Sequence, residues 1–140
     1  MSFSSSEAQS AFESFLRRHP KLKMSCKKVA SRPGAEWKGA DHWRCTLSNG
    51  KRRMVVTYSM GSGHGGRKPT LADVLMSCAL NTSGYNSTRG FHDWCSEYGY
   101  DDSGKHAKST FKAVEKQAAA LNKLVGHDGV EQLIDLSNDW

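Results

Sequence analysis

Residues 69–100 constrain the fold of this chain most, because they contain two successive helix signals with defined boundaries. Thr70 and Asp73 have the spacing of a capping box, in which two side chains satisfy backbone N–H groups at the start of a helix. Apolar residues then recur at helical spacing, and Gly84 predicts the end of this helix. The apolar positions are Leu71, Val74, Leu75 and Cys78.

A second and a third helix are predicted downstream. The second should begin at Ser87 or Thr88 and end at Gly99, which can adopt the positive φ common at helix ends. Its apolar stripe consists of Phe91, Trp94, Cys95 and Tyr98. The third should be capped by one of residues 101–103, cover this stripe and close at Gly126. Its apolar face is formed by Ala107, Phe111, Val114, Ala118, Leu121 and Val125, and a last short helix is indicated by Val130, Leu133, Ile134 and Leu136.

The clearest β-strand signal lies at residues 41–59, where Asn49-Gly50 is the preferred pair for a two-residue type I′ hairpin loop. Pairing outward from Ser48 and Lys51 places Cys45 opposite Met54 and makes one side of the hairpin apolar. That side carries Trp43, Cys45, Met54, Val56 and Tyr58. The opposite side carries Arg44, Thr46, Arg53 and Thr57.

These signals together predict an α+β fold. Residues 6–19 have the pattern of an amphipathic first helix that Pro20 ends, and a short strand near Cys26 is expected to join the hairpin. A chain of 140 residues suits one modest core, so we expect a single domain over residues 1–140. It should contain an N-terminal helix, a small antiparallel sheet with an Asn-Gly hairpin, and three to four C-terminal helices packed on that sheet.

The charge is distributed unevenly along the chain. Residues 1–68 contain 14 Lys and Arg against 4 Asp and Glu, whereas residues 69–140 contain 6 against 10. A basic half attracts polyanions and acidic partners, and a solvated basic surface without a partner is the alternative interpretation. The candidate binding residues are Lys27, Lys28, Arg44, Lys51, Arg52, Arg53, Arg67 and Lys68. Tyr98 and Tyr100 are candidate aromatic anchors for a partner, since tyrosine is enriched at interfaces.

The sequence gives no convergent set of catalytic groups. Gly61, Gly63 and Gly66 match G-x-G-x-x-G, but the parallel βαβ unit and the later acid of a dinucleotide fold are not apparent. His92 and Cys95 share a helix face, which suits an activated thiol, although Cys95 also belongs to the apolar stripe. We therefore expect a non-enzymatic protein without a cofactor, and a hydrolase or transferase that uses His92 or Cys95 remains a further hypothesis.

The four cysteines are interpreted as reduced thiols, most of them in the core. Cys78 and Cys95 lie on apolar helix faces and Cys45 on that of a strand, and no pair has the C-x₂₋₄-C spacing that structural zinc sites favour. A zinc site built from Cys78, Cys95 and His92 with a fourth ligand is the alternative, but we expect no metal.

Two segments and the helix that follows them resemble small uncharacterised proteins of bacteriophages, prophages and integrative elements. These are residues 69–75, Pro-Thr-Leu-Ala-Asp-Val-Leu, and residues 91–101, Phe-His-Asp-Trp-Cys-Ser-Glu-Tyr-Gly-Tyr-Asp. The resemblance implies an accessory protein that inhibits a host defence complex, anti-CRISPR proteins being one kind, in the bacterial cytoplasm. The expected partner is a host defence nucleoprotein complex, and the alternative is a small nucleic-acid-binding accessory protein. No signal peptide and no membrane-spanning run is evident, so no membrane partner is expected.

Overall fold

The described part of the chain forms four helices and a three-stranded antiparallel sheet, which confirms the α+β class. The structure is a computed structural model, and it describes residues 3–29, 41–60 and 67–140. The predicted turn at residues 31–34 and the glycine-rich loop at 61–66 lie outside these ranges. In chain order the elements are α1 (Ser6–Arg18), β1 (Leu22–Val29), β2 (Asp41–Asn49), β3 (Arg52–Met60), α2 (Leu71–Ser87), α3 (Phe91–Tyr98) and α4 (Lys105–Ser137).

Helix α1 forms where the apolar pattern predicts it. The Ser5 hydroxyl caps the helix by accepting from the Ala8 backbone N–H at 3.1 Å. Arg17 and Arg18 occupy the last turn, where cations interact favourably with the helix dipole. The helix buries Ala8, Phe12 and Phe15.

The sheet has the strand order β1-β2-β3, so the short strand expected near Cys26 is confirmed. The predicted hairpin register is wrong by two residues. Asn49 pairs with Arg52, and Cys45 lies opposite Val56. The loop therefore consists of Gly50 and Lys51, and only Gly50 has a positive φ, at 66°. A type I′ turn requires a positive φ at both loop residues, so the loop is not of that type.

The contacts of Asn49 and Arg52 explain the shifted register. The Asn49 side-chain amide donates to the Leu124 carbonyl at 2.7 Å, and the Arg52 guanidinium donates to the Lys123 carbonyl at 2.9 Å. Both carbonyls lie just before Gly126, where α4 is interrupted, and the last carbonyls before a helix end need partners from outside the helix. The end of the hairpin thus caps the first half of α4. A shift of two residues keeps every side chain on its predicted face.

Helix α2 begins with the predicted capping box. The Thr70 hydroxyl accepts from the Asp73 N–H at 3.1 Å, and the Asp73 carboxylate accepts from the Thr70 N–H at 2.8 Å. The predicted end at Gly84 is wrong, because the helix continues to Ser87. Gly84 is instead a packing position, since a Cβ there would overlap the Tyr98 hydroxyl.

Helix α3 begins later than predicted, after the extended end of α2. Its N-terminal cap is Gly90, with no side-chain hydrogen bond, rather than Ser87 or Thr88. The predicted end is confirmed, because Gly99 adopts the left-handed conformation with φ of 73°. Helix α4 starts at Lys105 and is interrupted at Gly126, whose φ of 79° and ψ of 168° are not helical. The break predicted there is confirmed.

The core has two parts. The larger part lies between the inner face of the sheet and helices α1, α2 and α4, with fully buried side chains at Phe15, Cys45, Leu47, Leu75, Met76, Leu121 and Leu133. The smaller part lies between α3 and α4 around Trp94, Cys95 and Ala107. The Trp94 ring stacks on Tyr100 at 4.8 Å and meets Phe111 edge-on. Within the described residues, no helix is long and apolar enough to cross a membrane.

Candidate functional site: the basic face of the sheet

The outer face of the sheet brings together cations from all three strands. The pairing register fixes which residues point outward, because side chains alternate along each strand. We call these twelve positions the basic face: Lys23, Ser25, Lys27 and Val29 from β1, His42, Arg44, Thr46 and Ser48 from β2, and Arg53, Val55, Thr57 and Ser59 from β3. Four of the twelve are Lys or Arg, and none is Asp or Glu.

Like charges lie directly opposite each other at one end of the basic face. Lys27 pairs with Arg44, and both side chains are exposed. Opposite residues on neighbouring strands have Cβ atoms about 4.5–5.5 Å apart, a distance at which like charges destabilise a sheet. At the other end, Lys23 and Arg53 flank Ser48. The two ends are separated by four residues along β2, or about 13 Å.

Within the described residues, no carboxylate neutralises these four cations. The ion pairs found there join His92 to Asp102 and His127 to Glu131, both outside the sheet. The basic face therefore carries two groups of unneutralised positive charge, and charge of this kind raises the local concentration of anions.

An exposed apolar side chain lies on β3, midway along the basic face. Val55 is 59% exposed, although most residues of its type are buried. It lies opposite Thr46, which in turn lies opposite Ser25. Val55 thus forms a small exposed apolar patch with hydroxyl groups and cations next to it.

The structure brings together only some of the predicted binding residues. Lys27, Arg44 and Arg53 share the basic face, as predicted. Lys28 does not, because it is adjacent to Lys27 in the strand and so points to the opposite side, where its ammonium lies 6.0 Å from the centre of the Trp43 ring. Sequence reasoning missed Lys23, which the alternation of β1 would have identified had the extent of that strand been known.

The remaining predicted cations lie at the margins. Lys51 is exposed in the hairpin loop. Arg52 points toward α4 and donates to the Lys123 carbonyl. Arg67 and Lys68 are exposed immediately before α2 and belong to no strand. These four residues are thus not part of the basic face.

His42 closes one end of the basic face. Its Nδ1 atom lies 2.7 Å from the Ser59 hydroxyl on the neighbouring strand. Its Nε2 atom is buried and has no hydrogen-bond partner among the described residues. The ring is therefore oriented by Ser59 and lies in the same row as Val29.

The candidate aromatic anchors differ in accessibility. Tyr98 is 51% exposed, whereas Tyr100 is half-buried through its stacking on Trp94. Tyr98 and the exposed Leu80 border an open cleft of about 390 Å³ between α2, α3 and α4. Tyr98 is thus available to a partner, while Tyr100 is mainly a packing residue.

His92 and Cys95 do not form an activated pair. The His92 ring lies 2.8 Å from the Asp102 carboxylate at the surface, whereas the Cys95 side chain is buried. Burial raises the pKa of the Cys95 thiol, and the nearby charge of Asp102 raises it further. A nucleophilic thiol requires the opposite shift.

The zinc alternative finds no support in the described residues. Cys78 belongs to the larger part of the core and Cys95 to the smaller part, so these two thiols do not converge. No three His, Cys, Asp or Glu side chains in the described ranges are grouped closely enough to hold a metal ion.

Comparisons with family models, curated proteins and solved structures find no match to this chain. A function must therefore be argued from the side chains themselves, because a fold class alone hosts many activities.

Proposed function

We propose that this chain is a non-enzymatic accessory protein that binds a polyanionic partner through the basic face, and that the partner is a host defence nucleoprotein complex. One observation carries the proposal. Four of the twelve outward positions of the basic face are cations, and none is a carboxylate. The Lys27–Arg44 pairing is unfavourable in the free protein. An anionic partner placed over both side chains would relieve that repulsion.

The chemistry of the basic face favours contacts to a phosphate backbone over contacts to bases. Its four cations are interspersed with five hydroxyl side chains, and both kinds of group donate hydrogen bonds to phosphate oxygens. None of the twelve positions is Phe, Tyr or Trp, the side chains on which bases of single strands stack. Direct nucleic-acid binding is therefore the second candidate, and it should be independent of base sequence.

Val55 supports a protein component in the partner. Interfaces between proteins combine apolar contacts with polar ones, and the exposed Val55 lies on the same face of the sheet as Arg44 and Arg53. The phosphate groups of a nucleic-acid backbone are charged and offer no apolar contact to this side chain. The resemblance of the chain to phage and mobile-element proteins supports a defence complex as the source of such a partner.

Charge reversal tests the basic face. The Arg44→Glu/Arg53→Glu variant should bind single-stranded and duplex DNA at least tenfold more weakly at low salt than the wild type. Each phosphate contact that is removed should also reduce the slope of log K against log[salt] by about 0.7–0.9. The matched control is Lys112→Glu/Lys116→Glu, which makes the same change in net charge on exposed residues of α4. Equal binding by the two variants would overturn the basic face as the binding surface.

A pull-down from bacterial lysate, with and without nuclease, separates the two candidates. A protein complex that is retained after nuclease treatment and lost with Arg44→Glu/Arg53→Glu supports the inhibitor. Loss of all partners after nuclease treatment supports direct nucleic-acid binding. Val55→Thr, which keeps the shape of the side chain, should weaken capture of a protein complex by several-fold and leave binding to DNA unchanged.

A further inference from the structure

Two thiols of the sheet are in direct contact. Cys26 in β1 lies opposite Cys45 in β2, and the Cys26 thiol donates to the Cys45 sulfur at an Sγ–Sγ distance of 3.1 Å. Both cysteines are free thiols in this structure. The contact lies on the inner face of the sheet.

The backbone at this pair already has the dimensions of a disulfide. Directly opposite residues in an antiparallel sheet have Cα atoms about 4.5–5.5 Å apart. Disulfides span Cα distances of about 4.4–6.8 Å. Rotation of the two side chains is thus enough to bring the sulfurs into bonding distance, without movement of either strand.

We propose that Cys26 and Cys45 are a redox pair that hydrogen peroxide converts into a cross-strand disulfide. In the first step the Cys26 sulfur attacks peroxide, so that an S–O bond forms, the O–O bond breaks and water is released. In the second step the Cys45 sulfur attacks the Cys26 sulfenic acid, so that the S–S bond forms, the S–O bond breaks and the oxygen leaves as a second water with the Cys45 proton. Two thiols and one peroxide thus give one disulfide and two waters.

The exposure of the four thiols determines where the oxidant reacts first. Cys26 is half-buried on an edge strand, whereas Cys45, Cys78 and Cys95 are buried. Burial raises the pKa of the Cys45 thiol to about 12, and the hydrogen bond from Cys26 contributes to the same shift. Cys26 is therefore the thiol that meets the oxidant. The raised pKa makes Cys45 a weak nucleophile, and it resolves the sulfenic acid because its sulfur is already in contact with that of Cys26.

The disulfide would affect the edge of the sheet rather than its core. Among the described strands, β1 lies at the edge of the sheet and pairs with β2 alone. A covalent bond at Cys26 would hold β1 to β2 at the middle of their eight paired residues. Local opening of β1 would then become rarer, since edge elements open more readily than a core.

Peptide mapping of the wild-type protein tests the proposal. The reduced protein is treated with hydrogen peroxide, the remaining thiols are alkylated after unfolding, and the chain is digested with trypsin. We expect residues 24–27 to be linked to residues 45–51, with a mass lower by two hydrogen atoms than the sum of the two thiol peptides. Dithiothreitol should reverse the link. Cys26→Ser should abolish it, whereas Cys95→Ser, which changes a thiol in the other part of the core, should leave it intact.

Hydrogen exchange provides a second readout on the same samples. Amide exchange in β1 should slow several-fold after oxidation in the wild type and remain unchanged in Cys26→Ser. A link from Cys45 to Cys78, or oxidation of Cys26 to the sulfinic acid while Cys45 stays reduced, would overturn the assignment. So would a complete set of four alkylated thiols after exposure to peroxide. This test does not depend on any partner of the basic face.

Discussion

At the scale of single residues, Trp94 contributes most to the smaller part of the core. Its side chain is 4% exposed and contacts the rings of Tyr98, Tyr100 and Phe111. Sequence periodicity identified this position correctly as a core residue. The same pattern also assigned Tyr98 to the apolar stripe, yet its ring is half exposed, because one side of it borders the open cleft between α2, α3 and α4.

Truncation of Trp94 should therefore be severe. Trp94→Ala is expected to reduce the free energy of unfolding by about 3–5 kcal/mol, the usual range for a large aromatic residue in a packed core. Urea denaturation followed by circular dichroism measures the change. Tyr98→Ala is the matched control, and it should destabilise the protein much less. A Trp94→Ala variant with the stability of the wild type would show that α3 does not depend on this ring.

Cys78 should make the protein sensitive to alkaline pH. Burial raises the pKa of its thiol from 9.0 to about 12 in the folded protein. The unfolded chain therefore loses this proton first as the pH increases. The contribution of Cys78 to stability is complete below pH 9.0 and is lost progressively as the pH rises toward the folded pKa.

The measurement compares the wild type with Cys78→Ala in reducing buffer at a series of pH values above 9. The stability of the wild type should fall more steeply than that of the variant, by up to about 1.4 kcal/mol per pH unit. The slopes matter here and not the absolute values, since Cys78→Ala also leaves a small cavity. Parallel curves would mean that the Cys78 thiol ionises equally well in both states.

At the scale of the elements, the sequence determined which face each residue of the β2–β3 hairpin occupies but not how the two strands pair. Arg44 and Arg53 were assigned to one face correctly, because a register error of two residues leaves side-chain alternation unchanged. The register itself depends on the contact between Asn49 and the Leu124 carbonyl, which are 75 positions apart. Local turn preference contains no information about such a contact. Lys27 and Lys28 could not both lie on the basic face, since adjacent strand residues point in opposite directions.

The contact between the hairpin and α4 can be tested at Asn49. Asn49→Ala should lower the free energy of unfolding by about 1 kcal/mol, because the Leu124 carbonyl loses its partner. Ser48→Ala is the matched control at the neighbouring position, which points outward and is expected to be nearly neutral. Chemical denaturation of the three proteins gives the comparison. Equal stabilities would indicate that water replaces the amide and that the hairpin register has another cause.

At the scale of the whole molecule, positive charge and core packing are on opposite sides of one sheet. The inner face packs on α1, α2 and α4, whereas the outer face carries the four cations. Substitutions of the outer cations should therefore change binding without unfolding the protein. This separation makes the basic face suitable for mutagenesis.

Arg44→Glu alone should show the separation between binding and stability. It replaces a repulsive pair with Lys27 by an attractive one, so we expect a small increase in melting temperature together with weaker binding to polyanions. Lys112→Glu is the matched control, because it makes the same change in net charge at an exposed residue of α4 and leaves the Lys27–Arg44 pair in place. A decrease in melting temperature for Arg44→Glu would indicate that the repulsion is already relieved in the free protein.

The absence of a Cβ at Gly84 affects the shape of the cleft bordered by Tyr98. Because a Cβ at residue 84 would overlap the Tyr98 hydroxyl, the Tyr98 ring can lie against α2 only while residue 84 is glycine. Gly84 is buried, and a methyl group there would displace a ring that belongs to a different helix. The shape of the cleft can therefore be altered from α2, and the chemical groups that border it would all be retained.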